Sequence, residues 1–442
     1  MSGLLVVDIG STFTKASLVT DVVAAAEVTA RAETPTTITP DVMAGVRAVA
    51  DSIGAGQTDV VGCSSAGGGL RLAIVGYERT VTAEAAYRVG LSAGAKVVHV
   101  TAGPLDDALC AALLDDRPDI VLLVGGTDGG NAEVLLHNAA ALARAGLPRR
   151  VPVVVAGNVT VQERVAAILA EASVATIRAD NVLPDIGVIA PESARAALRA
   201  AFLTHVIGGK GLSRDPAFAR VVRMATPDAV LEGVRVVAEV AGQDVLVVDI
   251  GGATTDVYSS VAVEDDAPRR EVVAELRHAR TVEADLGMRW SAGTVVEAAA
   301  RERLPVSADL PAYAASLAER PAYLPETPAE HALDVELARL AATIAVRRHA
   351  RAPHPGAAAR KLTDVGLVLG SGGVLRHHPA DDSETVLRAV TTDRAGGWPI
   401  PRAPHLAVDT AYLLVVVGLL AAEHPAAAAR VAERLVRSAR GR

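Results

Sequence analysis

Short apolar runs, each closed by glycine or a polar turn, set the rhythm of this chain. "LLVVDIG" (4–10) is continuous, short and Gly-terminated, as a buried strand is, and "KASLVTD" (15–21) alternates weakly like its hairpin partner. "DVMAGVRAVADSI" (41–53) has helical periodicity and opens on Asp41 as an N-cap. "DVVGCSSAGGGLRLAIVG" (59–76) reads as a strand, a glycine-rich turn and a second strand.

From about 80 to 210 the pattern changes. Apolar strands ("AKVVHVTAG", "DIVLLVGGTDGG", "VPVVVAGNV", "VATIRAD") alternate with Ala-rich helices such as "NAEVLLHNAAALARAG". That alternation predicts a parallel sheet with crossover helices. "TPDAVLEGVRVVAEVAG" (226–242) is a helix capped by Thr226, with Pro227 in its first turn, and leads into "DVLVVDIGGATTDVYSS". Residues 302–335, rich in Pro and Ala, read as a surface excursion, and 350–360 as a loop or linker. "VGLVLGSGGVL" (365–375) is a strand, a glycine turn and the start of a helix; Asp409 and two helices follow.

One pattern occurs twice. "VVDIGSTFTK" (6–15) and "VVDIGGATTD" (247–256) share Val-Val-Asp-Ile-Gly, and Asp8 and Asp249 stand 241 residues apart. That spacing is far too long for a solenoid repeat and predicts two related domains. Each turn can wrap phosphate oxygens with amides and hydroxyls: Gly10, Ser11, Thr12 and Thr14 in the first copy, Gly251, Gly252, Thr254 and Thr255 in the second. Lys15 adds a charge that reaches for phosphate. Asp8 and Asp249 would be repelled by phosphate; they suit Mg²⁺, held through water. In "VLGSGGVL", Gly370, Ser371, Gly372 and Gly373 let a flat nucleoside approach the backbone.

Composition narrows the picture further. With 442 residues the chain holds about two or three domains. Apolar residues make up 50% and aromatics 2%, so the core is aliphatic. A net charge of −8 without a basic stripe argues against nucleic-acid binding. The longest apolar run, "TAYLLVVVGLLAA" (410–422), is short of the roughly 20 residues a membrane span needs. No signal-peptide pattern precedes "GLLVVDIG", and Cys63 and Cys110 build no disulfide framework, so a soluble cytoplasmic protein is expected. "GGKGLS" (208–213) falls short of a P-loop, which leaves Lys210 in a loop. No Asp-x-His-x-x-Gly motif of cobalamin enzymes occurs.

Several other stretches stay open between a ligand site and plain structure. "GGTDGGN" (125–131) is an anion site at a helix N-terminus or a tight turn of a doubly wound sheet. Glu283 and Asp285 in "TVEADLGMR" face a nucleotide or cap a helix. Cys63 reads as a packed strand residue, and His377 and His378 as solvent-side, with no third ligand at metal spacing.

In this order, the two hairpins, the glycine motif and a helix with Asp409 resemble the actin–sugar kinase–heat-shock ATPase superfamily. The resemblance implies an α/β protein of two ribonuclease-H-like lobes with ATP and Mg²⁺ in the cleft. Asp8 and Asp249 would then be the metal- and water-positioning acids. It divides the chain into a first lobe, 1–240 with 405–442, carrying the inserted α/β segment at about 80–210, and a second lobe, 241–404. "PESARAALRAAF" and "TPDAVLEGVRVVAEVAG" both qualify as the first connecting helix.

Within that superfamily, "LLVVDIGSTFTK", "LLVGGTDGGN", "LVVDIGGATTDVYS" and "TVEADLGMR" resemble the glutamate mutase L family, unrelated to the mismatch-repair protein of similar name. The resemblance implies an ATP-dependent accessory factor that reactivates an adenosylcobalamin-dependent carbon-skeleton mutase, with the mutase subunits as partners. Two other readings stand beside it. One is a small-molecule enzyme, either a kinase or of the hydantoinase and oxoprolinase kind. The other is a nucleotide-binding module without turnover.

Overall fold

A computed structural model describes residues 3–39, 41–148, 150–207, 211–263, 276–352 and 359–440. Lys210 and residues 353–358 of the expected linker lie outside them. The chain forms two compact units. The first includes Met1–Glu232 and Val415–Ala428; the second includes Gly233–Val263, Arg277–Leu414 and Ala429–Arg442.

The first unit opens with strands β1 (Leu4–Ile9), β2 (Phe13–Thr20), β3 (Glu27–Pro35) and β4 (Asp59–Ser64). Next come β5 (Leu70–Gly76), β6 (Ala95–Ala102), β7 (Ile120–Leu123), β8 (Val153–Val155) and β9 (Thr176–Arg178), then β10 (Val222–Ala225). Two sheets result. One has the order β10-β4-β1-β2-β3, antiparallel from β1 through β3 and parallel from β1 through β10. The other, β6-β5-β7-β8-β9, is parallel throughout. That is the doubly wound order expected when strands alternate with crossover helices. β7 and β8 are buried on both faces, which explains their unbroken "IVLL" and "VVV". β5 belongs to this sheet, although the strand–helix rhythm in the sequence starts only after it. One core joins both sheets: Leu5, Val7 and Ile9 share it with Leu70, Leu72, Ile120 and Leu122. Each such side chain contributes roughly 1.5–3 kcal/mol by leaving water.

The second unit repeats the first sheet's design. Strands β11 (Val245–Ile250), β12 (Thr255–Ser260), β13 (His278–Glu283), β14 (Leu367–Ser371) and β15 (His405–Val408) pair in the order β13-β12-β11-β14-β15. The first three run antiparallel and the last two join parallel. Register is conserved between the copies: Ile9 faces Thr14 and Asp8 faces Lys15, as Ile250 faces Thr255 and Asp249 faces Asp256. The repeated sequence is thus the visible part of a duplicated ribonuclease-H-like lobe of the actin type. The helix Thr226–Ala241 directly follows β10 and leads toward β11, so it is the first connecting helix. Its rival, Glu192–Ala201, buries Ala194, Ala197, Leu198 and Ala201 in the first unit's core.

Residues 302–335 are not a surface excursion. Leu310–Glu319 is a helix that buries Leu310, Tyr313, Ala314 and Leu317, an i, i+3, i+4, i+7 set. Thr327 and Glu330 form a capping box for the helix Pro328–Ala350. Two of the segment's five prolines, Pro311 and Pro328, sit in the first turn of these helices, where no N–H is missed. The 23-residue second helix is the axis of the unit's core, and from Leu337 to Ala350 it is buried on nearly every side.

His349 lies near the end of that helix. Its ring contacts Ser259 Oγ at 2.7 Å and Thr281 Oγ1 at 3.0 Å, and Arg360 donates to the same Ser259 oxygen. Burial pushes the imidazole pKa well below its usual value, and the Arg360 charge adds to this. The folded protein therefore keeps His349 neutral while the unfolded chain takes up a proton below about pH 6.5. Stability from this site is full above that pH and is lost as the pH falls from there toward the folded-state pKa. Wild type is expected to lose more melting temperature between pH 7.5 and 5.5 than His349→Gln does. Equal losses in differential scanning fluorimetry would contradict this account.

Candidate functional site

The two hairpin turns are built alike. In each, a glycine N–H closes a two-residue turn: Gly10 donates to Phe13 O at 3.0 Å and Gly251 to Thr254 O at 2.9 Å. The turn residues Ser11 and Thr12 are exposed, as is Gly252 in the second copy. Thr14 and Thr255 instead are fully buried. Thr14 Oγ1 lies 3.2 Å from Thr36 Oγ1, and the Thr255 hydroxyl donates to Leu286 O, so both bond inside their own unit. Thr36 in turn donates to Gly10 O at 2.8 Å and fixes the first turn.

In the first unit Asp8 is 4% exposed at the end of β1. Thr226 Oγ1 donates to its Oδ1 at 2.6 Å, and Cys63 Sγ lies 3.4 Å from the same oxygen. Burial pushes the Cys63 thiol well up, and the Asp8 charge adds to this. Cys63 is therefore a buried thiol, a packed strand residue without nucleophile character, as expected. Thr226 does more than the sequence reveals. As the first residue of the connecting helix it is bonded to the carboxylate, and no motif marks it for that task. Lys15 faces Asp8 across the hairpin and is half-buried.

In the second unit Asp249 lies beside the glycine motif. β11 and β14 are parallel neighbours, and Asp249 is in register with Ser371, the last residue of β14. Gly372 has φ +92°, and a Cβ there would come within 2.2 Å of Ile250 O and 2.8 Å of Asp249 Oδ1. Gly373 is exposed and faces open space. Gly370 is buried, and its carbonyl accepts from the Asp409 N–H at 2.9 Å. The Asp409 carboxylate is fully buried and caps the helix Leu413–Ala421 by accepting from Leu413 and Leu414 N–H at 2.8 and 2.9 Å.

"TVEADLGMR" supports the second turn. Met288 N donates to Gly251 O, and Arg289 N and Trp290 N donate to Gly252 O, at 2.8–3.0 Å. Glu283 and Asp285 both pair with Arg348, each at 2.7 Å. Burial raises the Glu283 pKa; it raises Asp285 too, but there the Arg348 hydrogen bonds prevail and leave the carboxyl lowered. "GGTDGGN" is tied down just as firmly. Asn181 Nδ2 donates to Gly126 O and Asp128 Oδ1, Asn158 Nδ2 donates to Gly130 O, and Asn158 Oδ1 accepts from Gly129 N. These bonds favour the tight-turn reading, because Asp128 is engaged by the protein's own amides.

Taken separately, each unit has a strand-end carboxylate of the kind a hard cation takes beside an exposed turn, and in the second unit no side chain can share the space at Gly372.

The sequence profile of the family described as "MutL protein" matches residues 4–436. A curated relative, "Protein MutL" of Clostridium tetanomorphum, is 34% identical over 463 residues, covering 98% of this chain and 99% of the relative. The chain belongs to the MutL family. Among solved structures, a carbohydrate kinase from Novosphingobium aromaticivorans covers 95% of this chain and 92% of its own, at 14% identity and TM-score 0.31. The ethanolamine utilization protein EutJ from Carboxydothermus hydrogenoformans covers 98% and 90%, at 12% and 0.27. An ATP-dependent caprolactamase from Pseudomonas jessenii covers 87% and 67%, at 17% and 0.35. These likenesses are distant, and the actin-type architecture of this MutL-family chain rests on its own duplicated strand order. Among the described residues no helix is long and apolar enough to cross a membrane.

Proposed function

We propose that this MutL-family chain is an ATP-binding and ATP-hydrolysing accessory factor. It reactivates an adenosylcobalamin-dependent carbon-skeleton mutase, with glutamate (methylaspartate) mutase as the first candidate. The duplicated hairpin carries the reading: Asp8 and Asp249 occupy the same register position in two sheets of the same strand order. Ser11, Thr12 and Lys15 in one hairpin and Gly251, Gly252 and Thr254 in the other are assigned to the phosphates. Gly373, after the turn at Gly372, is assigned to the nucleoside. Asp8 and Asp249 hold Mg²⁺ through water. Thr226 keeps the Asp8 carboxylate in one orientation, and Arg289 and Trp290 fix the carbonyl of Gly252. Bound Mg²⁺-ATP supplies a γ-phosphate whose loss makes a conformational cycle irreversible.

Expelling a tightly held damaged cofactor requires better binding to an open state of the mutase than to the closed one. Leaving that open state afterwards requires energy, and hydrolysis provides it. The test starts from a mutase inactivated by turnover. This chain is added with Mg²⁺-ATP or with a non-hydrolysable analogue, and activity and released cobalamin are followed. Recovery with ATP alone is expected. Equal recovery with the analogue would make the chain a passive chaperone. Failure with every such mutase of the same cell, together with acceptor-dependent ATP turnover, would replace this reading with a small-molecule enzyme.

A further inference from the structure

His378 does not sit on the solvent side as the sequence suggests; its side chain is 11% exposed, while neighbouring His377 is exposed. A turn of the chain buries it. The short helix Gly373–His377 ends at His378, and Pro379 starts the helix Ala380–Thr392. The ring then packs on His331, with centroids 4.6 Å apart and planes tilted by 35°. His331 lies in the first turn of Pro328–Ala350, and its Nε2 is 2.8 Å from Asp382 Oδ2. One potential ligand atom from each of His331, His378 and Asp382 lies within 4.8 Å of the others. Asp382 follows His331 by 51 residues, which is why spacing alone conceals the cluster.

We propose that His331, His378 and Asp382 form a Zn²⁺ site. Two imidazoles and one carboxylate are a familiar zinc donor set, with the fourth position left for water. Mg²⁺ is a poor match, since it prefers six oxygens in a strict octahedron. A simple ion pair does not account for the cluster. Asp382 needs only His331 for that, whereas the His378 ring adds a third donor, stacked at 4.6 Å on the first imidazole. Zinc bonds of about 2.0–2.1 Å bring tetrahedral ligand atoms to roughly 3.4 Å from one another. Side-chain rotation can supply the contraction, because His331 and Asp382 are about one-third exposed.

A second carboxylate completes the arrangement. Asp334 Oδ2 is 3.4 Å from His378 Nε2, and this 1% exposed carboxylate also receives Arg289 Nη1 at 2.9 Å and the Tyr313 hydroxyl at 3.2 Å. A buried carboxylate that orients a ligand histidine is a recurring support of zinc sites. Through Arg289, the same Asp334 reaches the residue whose N–H holds Gly252 O. Zn²⁺ here pins the helix that starts at Gly373 to the residues that support the second hairpin turn. It positions that part of the second unit.

The test uses full-length, tag-free protein stripped by chelator. Titration with ZnCl₂ by calorimetry is expected to give one equivalent per chain, with a rise in melting temperature. Co²⁺ is expected to give the absorption of a tetrahedral site. His331→Ala and Asp382→Asn are each expected to weaken Zn²⁺ by roughly 10–100-fold, comparable to or beyond the loss of a supporting residue. His377→Ala should leave binding unchanged. His378→Ala removes one of the partners of the buried Asp334 and can unfold the corner, so the two part-exposed positions carry the decision, with circular dichroism checking their fold. No Zn²⁺ binding by wild type overturns the site, as does one-equivalent binding that persists in both variants. None of these readouts depends on ATP turnover.

Discussion

Replacing Asp249 by alanine is expected to lower Mg²⁺-dependent ATP turnover on the order of 10²–10³-fold, the usual scale for a lost electrostatic contact in a reacting centre. Asp8→Ala should lose as much activity, but its side effects differ. Asp8 is nearly fully buried and accepts from Thr226 and Cys63, so removing it leaves a hydroxyl and a thiol without that acceptor. Unsatisfied buried groups cost about 1–3 kcal/mol. Asp8→Asn keeps the acceptor oxygen and the volume while removing the charge, and separates function from stability. Asp249 is only half-buried. Thr226→Val tests the connecting helix: it keeps the shape, loses the 2.6 Å bond to Asp8, and should lower turnover by less than either aspartate variant. Steady-state phosphate release together with melting curves measures all four. Normal turnover in Asp8→Asn or Asp249→Ala would remove the paired-hairpin site.

Much of this architecture is legible in the sequence because the informative residues are local. "VVDIG" marks the end of a buried strand wherever it occurs, and its recurrence reveals the duplication without any sheet in view. The strand–helix alternation likewise signals the inserted parallel sheet. What escapes is of two kinds. Prolines in first turns look like loop residues when no partner is visible, so the core helix Leu310–Glu319 reads as surface. Contacts that depend on tertiary closure carry no spacing signal. Thr226 meets Asp8 across 218 positions, Arg289 meets Asp334 across 45, and His378 reaches His331 from another helix. The sequence can mark Thr226 as a helix cap, but its contact with Asp8 appears only once β10 lies beside β4.

The glycine motif gives the sharpest contrast between two adjacent residues. From sequence, a bulky side chain at Gly372 would simply occupy the nucleoside's place. The geometry moves that effect to Gly373. At Gly372 a Cβ would be driven to within 2.2 Å of the Ile250 carbonyl, a backbone atom that cannot swing away, and the φ of +92° is unfavourable for any branched residue. Overpacking and left-handed backbone strain together cost about 2–5 kcal/mol. Gly372→Val is therefore expected to lower the melting temperature on the order of 10 °C, and its loss of ATP binding would say nothing about the ligand. At Gly373 an added Cβ would meet nothing within 4 Å, and the backbone is not left-handed. Gly373→Val should melt with wild type while its side chain stands in the space assigned to the nucleoside. At least about a tenfold weakening of ATP, equal to roughly 1.4 kcal/mol, is expected by calorimetry. If Gly373→Val binds ATP as wild type does, the turn after β14 only connects a strand to a helix, and the nucleoside contact must be sought elsewhere.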